Sequence, residues 1–288
     1  MGARLRWLPT TTLAGPWQMA MDDWLLDQIA AGSRTDPLLR FYRWSQPTLS
    51  LGKHQRAPEE RWLALAREGR LALTRRPSGG SAVLHGGDLT YALLWPDPPR
   101  QRREAYRLCC RWLQDAFASL GQPLAFGDAP CRADQPNCFA SHTAADLVHA
   151  DGQKRVGSAQ VWRGRSLLQH GSVLLEPDAA LWEAVFDEPP PRLASLSLGG
   201  EALEAHLLGA ALGWLPGAHS APSPPAAGAE PLEPAVLVEE GLAEEEWRAV
   251  GSALGRYEVE ARGLPPWAPA SAASATARAT DSRANPRG

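Results

Sequence analysis

Apolar residues recur at helical spacing between Gln18 and Ala31, where Met21, Trp24, Leu25 and Ile29 share a face. The pattern predicts an amphipathic helix closed by Gly32 and Ser33, with Asp22, Asp23 and Asp27 at its polar positions. A strand-like start, Ala3 to Leu8, precedes it. Runs rich in β-forming residues predict strands at Pro37 to Trp44, Thr48 to Leu51, Leu71 to Thr74 and Leu89 to Trp95. Helical spacing returns in Pro58 to Gly69 and in Arg100 to Leu120, where Tyr106, Cys109, Cys110, Leu113 and Phe117 are the apolar set. Asp146 to His149 and Lys154 to Val161 predict two strands joined by the tight turn Asp151-Gly152, and Ser166 to Leu175 predicts a third. Short helices are expected at Asp178 to Phe186, Gly200 to Leu212 and Gly241 to Leu254.

Strands and helices mix without a regular β-α-β alternation. The expected class is therefore α+β, with a mixed, mainly antiparallel sheet flanked by helices. Residues 1–215 are expected to form a catalytic domain, and 216–260 a Pro/Ala-rich connection with a C-terminal helix. Residues 261–288, dominated by Ala, Ser, Pro and Arg, are expected to be a disordered tail.

Composition narrows the function classes. A 44% apolar content and a net charge of -3 fit a globular protein, with no basic excess for nucleic acid and no apolar run long enough to span a bilayer. The N-terminal stretch lacks a signal-peptide-like apolar segment, so a cytoplasmic location is expected. The cysteines, Cys109, Cys110, Cys131 and Cys138, include no CxxC pair, which argues against zinc and for reduced thiols. No metal and no cofactor is expected. Among 29 basic residues only Lys53 and Lys154 are lysine, which marks them as positions where a guanidinium does not substitute for an ammonium.

Two stretches carry candidate chemistry. The first, RRPSGGSAVLHGGDLTY from Arg75, places Gly79, Gly80, Gly86 and Gly87 around a short apolar run ending at His85. Paired glycines beside arginines fit a loop wrapped round a ligand, or equally a hairpin with solvated arginines. The second runs from Cys131 to Asp178. Cys138 lies in a polar loop rather than an apolar stripe, and a thiol near a cation becomes a nucleophile for thioesters. Pairing across Asp151-Gly152 would bring Lys154 towards that loop. His142 and His149 are rival bases, Cys131 is a rival nucleophile, and His170 is either structural or part of a pocket.

The RRPSGGSAVLHGGDLTY run resembles the signature of the biotin/lipoate protein ligase superfamily. MAMDDWLL, SLGKHQ, KRVGSAQ and LQHGSVLL match that family in the same order, together covering roughly residues 15 to 180. The resemblance implies a fold like the catalytic domain of class II aminoacyl-tRNA synthetases and biotin synthetases. Within the lipoate branch the chain is most similar to cysteine-dependent octanoyltransferases on the lipoate-ligase scaffold, which carry a nucleophile in a CF dipeptide upstream of the family lysine. Cys138-Phe139 stands sixteen residues before Lys154. The resemblance then implies Cys138 and Lys154 as catalytic, Arg75, Gly79, Gly80 and His85 as shaping the acyl pocket, and Gly157 and Ser158 as backbone donors near the carbonyl. It implies acyl carrier protein as donor. The implied acceptors are lipoyl domains, such as the glycine cleavage H protein or 2-oxoacid dehydrogenase acyltransferase subunits. An ATP-dependent lipoate-protein ligase and a non-catalytic acyl-binding or accessory protein are the alternative readings. Lys53 and the step Gly86-Gly87 depart from the family pattern.

Overall fold

The computed structural model describes residues 4–55, 57–127, 146–214 and 236–259. Its elements run β1 (Arg4–Leu13), α1 (Gly15–Ala30), β2 (Leu38–Trp44), β3 (Thr48–Leu51), α2 (Glu60–Arg67), β4 (Ala72–Arg75), β5 (Val83–His85), β6 (Asp88–Trp95) and α3 (Arg102–Ser119). They continue with β7 (Ala125–Phe126), β8 (Leu147–Val148), β9 (Lys154–Arg163), β10 (Ser166–Leu174), α4 (Ala179–Phe186), α5 (Gly200–Trp214), β11 (Val236–Glu239) and α6 (Glu244–Gly251). A single 3₁₀ turn, Leu254–Arg256, follows.

Among the described residues eight strands form one sheet in the order β11-β1-β2-β6-β10-β9-β8-β7. β1 is parallel to β2 and β11, and the other pairs are antiparallel. The class is the expected mixed, mainly antiparallel one. A smaller sheet, β4-β3-β5, stands apart from it.

Strand alternation sorts the side chains of the large sheet into two faces. Leu39 and Phe41 of β2, Leu89, Tyr91 and Leu93 of β6, and Leu167 and Val173 of β10 pack with the Cys109, Trp112, Leu113 and Phe117 stripe of α3. The opposite face meets α1, through Leu38, Tyr42, Ala92, Leu94 and Leu168 against Met19, Met21, Leu25, Leu26 and Ile29. The small sheet has its own core with α2 and α4, built on Leu49, Leu51, Trp62, Leu73, Leu84 and Trp182.

The C-terminal stretch adds a strand that the sequence pattern does not predict. β11 pairs with β1, and the Tyr257 carbonyl accepts from the Arg75 amide and from Thr74 Oγ1. Trp247 of α6 packs against Trp17 of α1, with ring centroids 6.0 Å apart. Residues 216–235 of the expected connection and the expected tail at 261–288 lie outside the described residues. No helix among the described residues is long and apolar enough to cross a membrane.

Candidate active site

The α1 face of the large sheet changes character along its strands. Register aligns Leu38, Leu94 and Leu168 in one row, Arg40, Ala92 and His170 in the next, and Tyr42, Thr90 and Ser172 in the third. The first row is apolar core; the other two carry the site.

Ala92 is the short member of its row and leaves room between Arg40 and His170. Asp22, one turn after Gln18 on α1, fills it. Its Oδ1 accepts from Arg40 Nη1 at 3.0 Å, and its Oδ2 accepts from Tyr42 Oη and pairs with His170 Nδ1, both at 2.9 Å. Gln18 Oε1 accepts from Arg40 Nη2 as well. Asp22 is one of the helix's expected polar positions; it is fully buried because this cation and two further donors surround it. With the carboxylate accepting, the partners assign the His170 proton to Nδ1. Nε2 then takes the Ser78 hydroxyl, at 2.6 Å. Burial first, then the neighbouring Asp22 charge, pushes the Tyr42 phenol well above its ordinary pKa, so it stays a donor.

A parallel arrangement forms where β5 meets β6. His85 Nδ1 lies 2.8 Å from Asp88 Oδ2, which also accepts from the Thr90 and Ser172 hydroxyls at 3.0 and 2.7 Å. Asp88 Oδ1 accepts from the Gly86 amide at 3.1 Å. Burial pushes the Asp88 carboxyl upward, but the His85 charge and these hydrogen bonds outweigh it and hold the group below the usual range. Nδ1 of His85 therefore carries the proton, and Nε2 faces the Ser50 hydroxyl at 2.9 Å. Trp44 stacks on the imidazole, with centroids 4.0 Å apart.

Between the two histidines lies a cleft of ≈ 500 Å³ including its open mouth. Met19, Tyr42, Trp44 and Val83 give it apolar wall, and the small Gly157 and Ala159 of β9 keep the neighbouring side open. Gly79, Gly80, His85, Gly157 and Ser158 all line it. Ser158 contributes backbone, since its hydroxyl pairs with Tyr91 Oη at 2.8 Å and its carbonyl accepts from Tyr106 Oη. Arg75 does not line the cleft; its guanidinium donates to the Gly52 and Gln55 carbonyls. Arg76 lines it instead, bonding the carbonyls of Ser50, Gly79 and Ser81 at 2.8, 2.9 and 2.6 Å. Arg75 ends β4 and Arg76 follows it, and the two arginines of one dipeptide serve different structures.

Lys154 opens β9, three residues before Gly157. It is buried, with its ammonium 2.8 Å from the equally buried Asp146 carboxylate. β8 and β9 form the expected hairpin, with Gly152 at φ +82° in its turn. Cys138 and its rivals Cys131 and His142 lie outside the described residues. The stretch containing them leaves and rejoins the described chain at one place, where the Gly127 amide donates to the Asp146 carbonyl at 2.9 Å. Cys109 and Cys110 are free and buried. Burial pushes both thiols up, Cys110 to about 12 against the opposing Gln169 hydrogen bond, so neither is a ready nucleophile. His149 accepts from Arg155 Nε at 3.0 Å on the far side of the hairpin. No group of three or more His, Cys, Asp or Glu side chains among the described residues is arranged to hold a metal ion.

Asp22, Ser50, Arg76 and Asp88 are the site residues that sequence reasoning missed. Asp22 carried a signal, since Gln18 and Asp22 stand at i and i+4 among Met19, Met21, Leu25 and Leu26, polar residues on an apolar face.

Comparison with known proteins agrees with this geometry. Residues 15–195 match the lipoyl protein ligase A/B catalytic domain. The chain is 37% identical over 183 residues to octanoyltransferase LipM of Lysinibacillus sphaericus, covering 59% of this chain and 66% of that protein. It is 34% identical over 189 residues to octanoyltransferase LipM of Geobacillus kaustophilus, covering 62% and 67%. The matches thus span about two thirds of each relative. Among solved structures, lipoate-protein ligase A bound with ATP superposes with a TM-score of 0.67 at 18% identity, covering 89% of this chain and 95% of that one. A bi-partite lipoate protein ligase from Thermoplasma acidophilum superposes with a TM-score of 0.64, also at 18% identity, covering 89% and 93%. Matched along most of its described length, the chain belongs to the lipoyl protein ligase A/B catalytic-domain family.

Proposed function

We propose that the chain is an octanoyltransferase of protein lipoylation. It takes an octanoyl group from acyl carrier protein onto Cys138 and passes it to a lysine of a lipoyl domain. The acceptors are lipoyl domains of the glycine cleavage H protein or 2-oxoacid dehydrogenase type. The observation that carries this reading is the 33–37% identity to octanoyltransferases LipM. The cleft supports it: its wall is largely apolar, as an alkyl chain requires, with a few polar side chains among the lining.

The chemistry follows from the residues. Cys138 attacks the donor thioester, a new C–S bond forms, and the donor thiol leaves. The acceptor amine then attacks the acyl-cysteine, releasing Cys138 as thiol. The Lys154 ammonium pairs with Asp146, beside the point where the stretch bearing Cys138 rejoins the sheet. A cation there favours the thiolate. Gly79, Gly80 and His85 shape the acyl pocket, the backbone at Gly157 and Ser158 forms the wall near the carbonyl, and Arg75 braces the Gly52 turn behind it.

The test is incubation of octanoyl-acyl carrier protein with an apo lipoyl domain, with and without ATP, beside free lipoate plus ATP. Transfer without ATP, abolished in Cys138→Ala and largely lost in Lys154→Arg, is expected. ATP-dependent lipoylation by the isolated chain would instead make it a ligase.

A further inference from the structure

The cleft contains a hydroxyl–imidazole–carboxylate chain that transfer through a cysteine does not use. We propose that Ser50, His85 and Asp88 form a second nucleophilic centre in this cleft, one that hydrolyses acyl thioesters and activated esters through an acyl-Ser50 ester. The acyl class of substrate rests on the function proposed above; the serine relay stands on geometry alone.

A serine nucleophile needs a base within hydrogen-bond reach, a group that orients the base, and access to substrate. Ser50 Oγ is 2.9 Å from His85 Nε2, and His85 Nδ1 is 2.8 Å from Asp88 Oδ2. Asp88 receives donors from Thr90, Ser172 and the Gly86 amide, so it acts only as acceptor and fixes the imidazole proton on Nδ1. The Nε2 lone pair is thereby aimed at the serine, and stacking on Trp44 holds the ring. Ser50 and His85 both line the cleft.

Charge developing at the carbonyl has donors nearby. Arg76 Nη1 is 3.4 Å from Ser50 Oγ. The Gly79 and Gly80 amides, on the same wall, donate to no protein group among the described residues. The Ser78–His170–Asp22 chain is less suited to this role. Its serine does not line the cleft, and its carboxylate is shared with Arg40.

The step balances without another reactant. As Oγ bonds to the carbonyl carbon, its proton passes to His85 Nε2. The C–S bond then breaks and the leaving thiolate takes that proton. Water attacks acyl-Ser50 through the same base, and the products are a carboxylic acid, a free thiol and the original serine.

The full-length protein is treated with a fluorophosphonate, which reacts with activated serines, and the adduct is mapped by peptide mass spectrometry. Labelling at Ser50 is expected, lost in Ser50→Ala and slowed on the order of 100-fold in Asp88→Asn, which keeps the shape but removes the charge and turns one acceptor oxygen into a donor. In parallel, a Cys138→Ala protein should hydrolyse octanoyl-pantetheine, and Cys138→Ala with Ser50→Ala should fall to the buffer rate. Thermal melting checks that each variant is folded. Ser50→Cys gives a second readout, because a thiol placed against Nε2 should alkylate faster than Cys109 or Cys110. An unlabelled Ser50 in the folded protein, or hydrolysis indifferent to Ser50→Ala, would overturn the proposal. Labelling without any lipoyl-domain transfer would sink the transferase reading and leave this one standing.

Discussion

Gly79 lines the cleft and Gly52 packs against the Gly79-Gly80 backbone, yet the structure predicts opposite outcomes for replacing each by alanine. A Cβ at Gly52 would stand 1.9 Å from the Gly80 carbonyl oxygen, 3.0 Å from its carbon and 3.3 Å from the Gly79 carbon. Carbon contacts settle at roughly 3.5–4.0 Å, so the facing segment must retreat. It cannot do so freely. Arg76 Nη2 holds the Gly79 and Ser81 carbonyls, and the Lys53 amide holds the Ser78 carbonyl at 2.8 Å. Overpacking against tethered backbone falls at the upper end of the ~1–3 kcal/mol range. For a domain of this size each kcal/mol lowers the melting temperature by about 2–4 °C, so Gly52→Ala should lose roughly 4–12 °C. A Cβ at Gly79 meets only His54 Cδ2, at 3.9 Å, an ordinary contact. Gly79→Ala should stay within about 0.5 kcal/mol of the parent. Differential scanning calorimetry on the two variants checks the contrast. Equal melting temperatures, or the larger loss in Gly79→Ala, would refute the account of why this wall requires glycine.

Asp22→Ala strands the Arg40 charge in a site about 1% exposed, and should cost about 3–5 kcal/mol in chemical denaturation. Cys110→Ala removes a thiol that is protonated at neutral pH, so acyl transfer should persist, and a loss of turnover would implicate that thiol after all. Burial, and then the Arg155 charge, lowers the His149 pKa, so the unfolded state binds its proton first as pH falls. Stability is therefore retained above the ordinary histidine value of about 6.5 and lost as pH drops through it. His149→Gln should flatten that part of a melting-temperature profile, and an unchanged slope would count against the assignment. Asp88 acts in a lower window. Its depressed carboxyl stabilises the fold above the unfolded value of about 3.9, and that contribution is lost as pH falls through the folded value.

Most elements were legible because their periodicity is strong. Thr48–Leu51 is a strand over the range the pattern predicts, and the Asp151-Gly152 hairpin forms as expected. β11 was not legible, because Val236–Glu239 is a short strand whose sheet partner among the described residues is β1, at the other end of the chain. Helix periodicity placed Asp22 among the polar positions, but only tertiary packing shows that Arg40 and His170 converge on it. The dipeptide Arg75-Arg76 poses the same difficulty: two identical side chains stand at the end of β4 and just past it, and sequence alone does not say which one lines the cleft. Gly79, Gly80 and His85 were readable as cleft residues because their motif is local. Their partners Ser50 and Asp88 emerge only when β3, β5 and β6 come together.

The buried charges fall into a pattern that stability alone does not explain. Asp22, Asp88 and Asp146 are each buried beside a group able to hold or release a proton: His170, His85 and Lys154. Desolvating such pairs offsets most of their attraction, and well-packed apolar residues at the same places would often be at least as stable. Each carboxylate does, however, fix what its partner presents. Asp22 and Asp88 place the imidazole protons on Nδ1 and leave both Nε2 atoms facing serine hydroxyls, and Asp146 fixes the position of the Lys154 amine. Two oriented imidazoles therefore line one largely apolar cleft, with their tautomers set before any substrate arrives. A site that only binds an alkyl chain has no use for them, whereas acyl transfer must move a proton at every step.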